Sequence, residues 1–175
     1  MESLVHELEA REKALHVLVN NAGAVWAQAL DEYPVGPFVR LFLTRCFHAR
    51  QEEGFSKVLT LNLQRVFTLT QKLLPLLRAG AAQGGQTGSV FNDPSRIINV
   101  CTSHETLSLM FLSLFHQIGS VEGLGVPDHD TYAYSAAKAG PHHLSRHLAG
   151  RLGKEGILSN TIACGVLNFP PFGLT

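Results

Sequence analysis

Three short runs rich in β-branched and apolar residues, Leu15–Asn20, Arg96–Val100 and Ile157–Ala163, are separated by long stretches of helical apolar spacing. That alternation limits the fold more than any other feature. Strands that meet only after a helical crossover pair in parallel, because antiparallel neighbours need no such connection. The expected class is therefore α/β, ordered α-β-α-β-α-β, with helices covering a parallel sheet. An opening surface helix carries Leu4, Leu8, Arg11 and Leu15 at helical spacing. A second helix, Phe55 to Arg78, places Phe55, Leu59, Val66, Leu69, Leu73 and Leu76 on one face, interrupted by Asn62. A third begins near Tyr132, carries Lys138, Leu144, Leu148 and Leu152, and closes in the turn KEG. Gly84, Gly85, Gly88 and Pro94 mark a polar loop before the middle strand.

A chain of 175 residues holds one ordinary core, so a single domain spanning 1–175 is expected. Its 14 basic and 14 acidic residues cancel, leaving no long-range field to recruit nucleic acid or an anionic membrane. Small-molecule or protein partners are expected instead. Cys46, Cys101 and Cys164 are odd in number and form no C-x-x-C pair, which points to a reducing, cytoplasmic setting. The amino terminus, MESLVHELEAREK, has no apolar stretch of signal-peptide type. The most apolar run, Leu107 to Phe115, is about half the length that crosses a bilayer.

The chemistry concentrates in TYAYSAAKAG. Tyr134 and Lys138 stand four apart, so one helical face presents both to one bound molecule. An ammonium beside a phenol favours phenolate and makes the tyrosine a usable acid or base near neutrality. Upstream, Ser120 in GSVEG offers a hydroxyl to a developing alkoxide, and NNAG closes the first strand. Ligands of open parallel sheets bind beyond the carboxyl ends of the strands, where these elements converge.

Asn20-Asn21-Ala22-Gly23, helical Asn62, Ser120 in GSVEG and Tyr134-Ser135-Ala136-Ala137-Lys138 together resemble the motif set of the short-chain dehydrogenase/reductase family. The wording LNLQRVFTLTQKLLPLLR, AYSAAKAGPHHLSRHLAGRLGKEGI and NTIACG is similar to its subgroup of rhamnolipid-type 3-oxoacyl-acyl-carrier-protein reductases. The resemblance implies a Rossmann-type sheet and an oxidoreductase that uses NADP, with NAD as the alternative. It implies that Tyr134 donates a proton to a substrate carbonyl and that Lys138 assists it and holds the nicotinamide ribose. Ser120 would position the substrate, and Asn62 would hold a water connecting Lys138 to solvent. Asn21, Ala22 and Gly23, with Tyr134 and Lys138, would contact the cofactor. The implied substrate is a small or acyl-carrier-bound carbonyl such as a 3-oxoacyl thioester, and the two long helices would form a homo-oligomer seam.

The chain departs from the family pattern in lacking the first strands and the glycine-rich turn T-G-x-x-x-G-x-G, whose amides hold a pyrophosphate. It reads as amino-terminally truncated, and without the central strand its sheet should expose unpaired edges. Segments near 35–53 and 101–117 have no place in the alternation and read as insertions, each removable with the flanking motifs rejoining. A non-catalytic fragment that at most associates with full-length subunits is thus the alternative to an active reductase. His142, His143 and His147 read as surface or interface residues, since no third ligand accompanies them. No metal is expected. Asn20 reads equally well as a tie between strands and as a cofactor contact.

Overall fold

The computed structural model describes residues 1–33, 54–101 and 120–164. Both expected insertions, near 35–53 and 101–117, lie outside the described residues apart from Cys101, as does the chain beyond Cys164. Helix α1 (Glu2–Arg11) leads to strand β1 (Val17–Asn20). The second helical stretch runs as three pieces: α2 (Gly54–Leu59), a π turn (Thr60–Gln64) and α3 (Arg65–Gln83). A small hairpin, β2 (Gln86–Thr87) and β3 (Val90–Phe91), precedes β4 (Ser95–Cys101). A 3-10 turn (Ser120–Gly123) leads to α4 (Tyr132–Leu152), a second such turn (Gly153–Glu155) and β5 (Ile157–Ala163).

The three long strands form one parallel sheet in the order β1-β4-β5, flanked by helices. Register sets Leu18 beside Ile97 and Asn20 beside Asn99, and carries Ile97 on to Ser159. The expected Rossmann-type parallel arrangement is therefore present, with β4 central. Among the described residues β1 and β5 each pair on one side alone. Val17 and Val19 of β1 remain 44% and 54% exposed, the open flank the sequence led one to expect.

One apolar cluster joins Val5, Leu18, Leu73, Leu76, Leu77, Ala81, Ile97, Leu152 and Ile157. A second gathers Tyr33, Val58, Ala133, Tyr134 and Ala137. The π turn separates the residues that serve each, so α3 feeds the first cluster and α2 the second. In α1 the buried residue is Val5, whereas Leu4 is half exposed, which turns the expected inward face by one position. Leu15 lies beyond that helix, its N–H donating to the Leu76 carbonyl at 2.9 Å, so it packs under α3 without belonging to the strand. Surface pairs such as Arg78–Glu155 at 2.5 Å add little, because both groups remain in water.

Gly80 shows how tightly α3 sits on the sheet. A Cβ there would lie 2.3 Å from the Leu15 carbonyl oxygen and 2.7 Å from Ser95 Oγ, which itself donates to that carbonyl. Alanine normally favours a helix over glycine by about 1 kcal/mol. Here the clash reverses the sign, and Gly80→Ala is expected to destabilise by about 1–3 kcal/mol. A urea unfolding curve reads this directly, and a midpoint at or above that of the parent would contradict it.

Candidate active site

Tyr134 lies in the first turn of α4 and is fully buried, while Lys138, one turn on, is 2% exposed. The Lys138 ammonium sits 5.3 Å from the centre of the Tyr134 ring. Spacing of four thus delivers what a helix dictates, two polar ends on one buried face. Because α4 follows β4 in a parallel sheet, its first turn stands at the carboxyl end of the strands.

Asn62, expected as an anomaly on an apolar face, sits in the π turn and is 1% exposed. Its amide donates to the Ala24 carbonyl at 2.7 Å and the Val58 carbonyl at 2.9 Å. The first bond ties the helix to the loop that carries Asn21, Ala22 and Gly23; the second supplies a donor where the helical ladder leaves α register. Asn62 Oδ1 is buried without a hydrogen-bond partner among the described residues. Leu63 in the same turn packs against α4 at Gly140, where a Cβ would come within 2.7 Å of the leucine side chain. The Asn62 turn and the helix of Lys138 are thereby brought together.

The backbone of Ser120 opens the 3-10 turn ahead of α4, and its side chain lies outside the described residues. That turn also lies on α4: a Cβ at Gly123 would stand 2.6 Å from the Lys138 carbonyl oxygen. Asn20 ties neighbouring elements, its amide donating to Asn99 Oδ1 at 2.9 Å and Thr70 Oγ1 at 3.3 Å. Among the three helix histidines, each expected at the surface or an interface, His142 is buried at 8% exposure, and His143 and His147 are exposed.

Tyr33 is a residue that no local sequence pattern singles out. Its hydroxyl donates to the Trp26 carbonyl at 3.2 Å and accepts from the Ala133 N–H at 3.3 Å, satisfying one of the open amides of the helix start. Burial pushes the Tyr33 phenol above its ordinary value, and the Ala133 amide pulls it only partly back. Its ring meets Phe55 and Tyr132 edge-on at 6.0 and 5.6 Å. The loop after β1, the start of α2 and the start of α4 are joined through this one side chain.

A cavity of about 430 Å³ opens beside the end of β1, lined among others by Val19, Asn20, Asn21, Ala22, Leu61 and Arg65. Tyr134 and Lys138 do not line it; Asn62, next to Leu61 and bonded to Ala24, lies between the two regions. Among the described residues no helix is long and apolar enough to cross a membrane.

No protein-family model matches the chain. It is 37% identical over 159 residues to a rhamnolipids biosynthesis 3-oxoacyl-[acyl-carrier-protein] reductase of Pseudomonas aeruginosa, covering 91% of this chain and 44% of that protein. Among solved structures, the Pseudomonas aeruginosa RhlG/NADP active-site complex superposes with a TM-score of 0.66 at 33% identity, over 96% of this chain and 48% of the other. A short-chain dehydrogenase from Streptomyces avermitilis shares the fold, with a TM-score of 0.60 at 22% identity over 98% of this chain and 46% of that one. The chain spans about half the length of the relatives it matches. Parallel sheet, motif-bearing elements and sequence agree, and over most of its length the chain is similar to proteins of the short-chain dehydrogenase/reductase family.

Proposed function

We propose that this chain carries the proton-transfer part of an NADP-dependent oxidoreductase site acting on a carbonyl such as a 3-oxoacyl thioester. The observation behind this reading is the buried Tyr134–Lys138 pair at the carboxyl end of a parallel sheet, with the Asn62 turn packed against the same helix. The choice of NADP and of the acyl substrate rests on the Pseudomonas relatives. Bound NADPH supplies the hydride. Tyr134 gives its hydroxyl proton to the carbonyl oxygen as that oxygen becomes an alcohol, and the Lys138 ammonium offsets the charge left on the phenol. Ser120 donates a hydrogen bond to the same carbonyl oxygen and fixes its place.

Asn62 has spent its amide on Ala24 and Val58, which leaves Oδ1 to accept from a water, the first step of a path that returns a proton towards Lys138. Asn21, Ala22 and Gly23 hold the adenine and ribose side, where the cavity beside Asn21 and Ala22 leaves room. Lys138 also holds the nicotinamide ribose. The reading carries with it a small or acyl-carrier-bound substrate, a cytoplasmic setting and a homo-oligomer formed through α3 and α4.

Titrating NADPH against the purified chain and following nicotinamide fluorescence is expected to show saturable binding. Tyr134→Phe should then lower turnover by about 10²- to 10⁴-fold while affinity for NADPH stays within about twofold. Absence of saturable binding would favour the non-catalytic alternative, and loss of affinity in Tyr134→Phe would remove the proton-donor role. Asn62→Leu strips the Ala24 and Val58 carbonyls of their donor and is expected to cost about 1–3 kcal/mol, read as a lower urea midpoint. An unchanged midpoint would mean that the amide does not hold the loop.

A further inference from the structure

Glu122 is a buried acid that the reaction outlined above does not use. It is 7% exposed, two residues after Ser120, and its Oε2 accepts from the Thr131 hydroxyl at 2.7 Å and the Ser135 hydroxyl at 3.1 Å. Those two hydroxyls lie on either side of Tyr134 along the chain. Thr131 is the N-cap of α4, yet its side chain makes no capping bond to the helix amides, the role a threonine ordinarily plays there. Its hydroxyl is committed to Glu122 instead. Glu122 Oε1, meanwhile, is buried with no hydrogen-bond partner among the described residues. A carboxylate with one oxygen orphaned is a poor choice if stability alone matters, because its desolvation is only partly offset.

We propose that Glu122 is a positioning residue, whose carboxylate locks the Ser120–Gly123 turn onto the first turn of α4 and so fixes Tyr134 and Lys138 relative to Ser120. The lock has two ends. At one, Glu122 holds Thr131 and Ser135; at the other, Gly123 lies against the Lys138 carbonyl with no room for a Cβ. A helix held at both ends of that stretch cannot rotate or slide beneath the turn. Proton transfer needs its partners within hydrogen-bond reach, so small slips of the helix cost rate before they cost binding. The inference rests on the reading that Tyr134 and Lys138 act on a carbonyl.

Three variants of the full chain, Glu122→Ala, Glu122→Gln and Ser135→Ala, test it by amide hydrogen exchange across 120–140 and by NADPH-dependent turnover. Glu122→Ala is expected to speed exchange in this stretch about tenfold and to lower kcat about tenfold or more, with KM for NADPH within about twofold. Glu122→Gln should restore most of both, because its amide oxygen accepts the same two hydroxyl protons. Ser135→Ala removes one donor and should fall between, which keeps the test open if Glu122→Ala fails to fold. Parent-like exchange in Glu122→Ala, faster exchange with kcat unchanged, or Glu122→Gln as impaired as Glu122→Ala would each overturn the proposal. A parent chain that binds no NADPH would defeat the reading of the site, and the exchange comparison alone would still decide whether Glu122 locks the turn.

Discussion

Close approach to the first two turns of α4 is the constraint on which the site depends. Ala133, Tyr134 and Ala137 are fully buried, and Lys138 is nearly so. A helix can be surrounded in this way only where small side chains let neighbours reach its backbone, and the sequence supplies them as Ala133, Ala137 and Gly140 on the helix and Gly123 facing it. Three segments distant in the chain use the access. The π turn arrives through Leu63, the 3-10 turn through Gly123, and the loop after β1 through Tyr33. A larger residue at any of these contacts would move a neighbour carrying a candidate functional group.

Buried polar groups serve two regions of this structure. Asn20, Asn99 and Thr70 bond among themselves, and Ser145 bonds Ser159, so these bonds join β1, β4 and α3 in one case and α4 and β5 in the other. Asn99 Nδ2 is nonetheless buried without a partner among the described residues, and Asn62 and Glu122 share that feature. Each of the latter two has one atom set firmly bonded and one oxygen left without a partner among the described residues. An unmade hydrogen bond in a buried place works against folding, and both examples fall on the turns that hold the Tyr134 helix.

Much of the fold was legible because period and punctuation agree. The span Ile157–Ala163 and the helix from Tyr132 to Leu152 are found where β-branched runs, apolar spacing and the KEG turn place them. What escaped reading was short-range detail set by tertiary contact. The π turn leaves no mark in apolar spacing, so Asn62 looked misplaced on a helix whose register in fact shifts around it. The hairpin at 86–91 does carry a signal, the Gly88-Ser89 link between Thr87 and Val90, but strands of two residues are too short for alternation to show. Val5 displaced Leu4 from the inward face because packing, rather than side-chain size, decides which neighbour turns in. The spacing of Tyr134 and Lys138 was readable from local geometry. Tyr33 and Glu122 were not, since each acts across a separation that no local pattern encodes.

The bonds that orient the start of α4 arise within the described residues: Tyr33 to Ala133, Glu122 to Thr131 and Ser135, and Asn62 to Ala24 on the loop that Tyr33 also anchors. The cavity by Asn21 and Ala22 has another character. Its walls include Leu4, Val19, Leu61, Val66 and Leu69, and Val19 belongs to the strand whose outer side is unpaired among the described residues. The region proposed for proton transfer is therefore braced by polar bonds across several elements, whereas the region proposed for the dinucleotide is bounded mainly by apolar side chains beside an open strand. Geometry around Tyr134 is set by directional bonds, which tolerate little displacement, and the cavity by contacts that adapt more readily to what fills them. That difference is why substitutions at Glu122 or Asn62 should act on the alignment of the groups proposed to react, and substitutions along the cavity wall on the proposed grip of the dinucleotide.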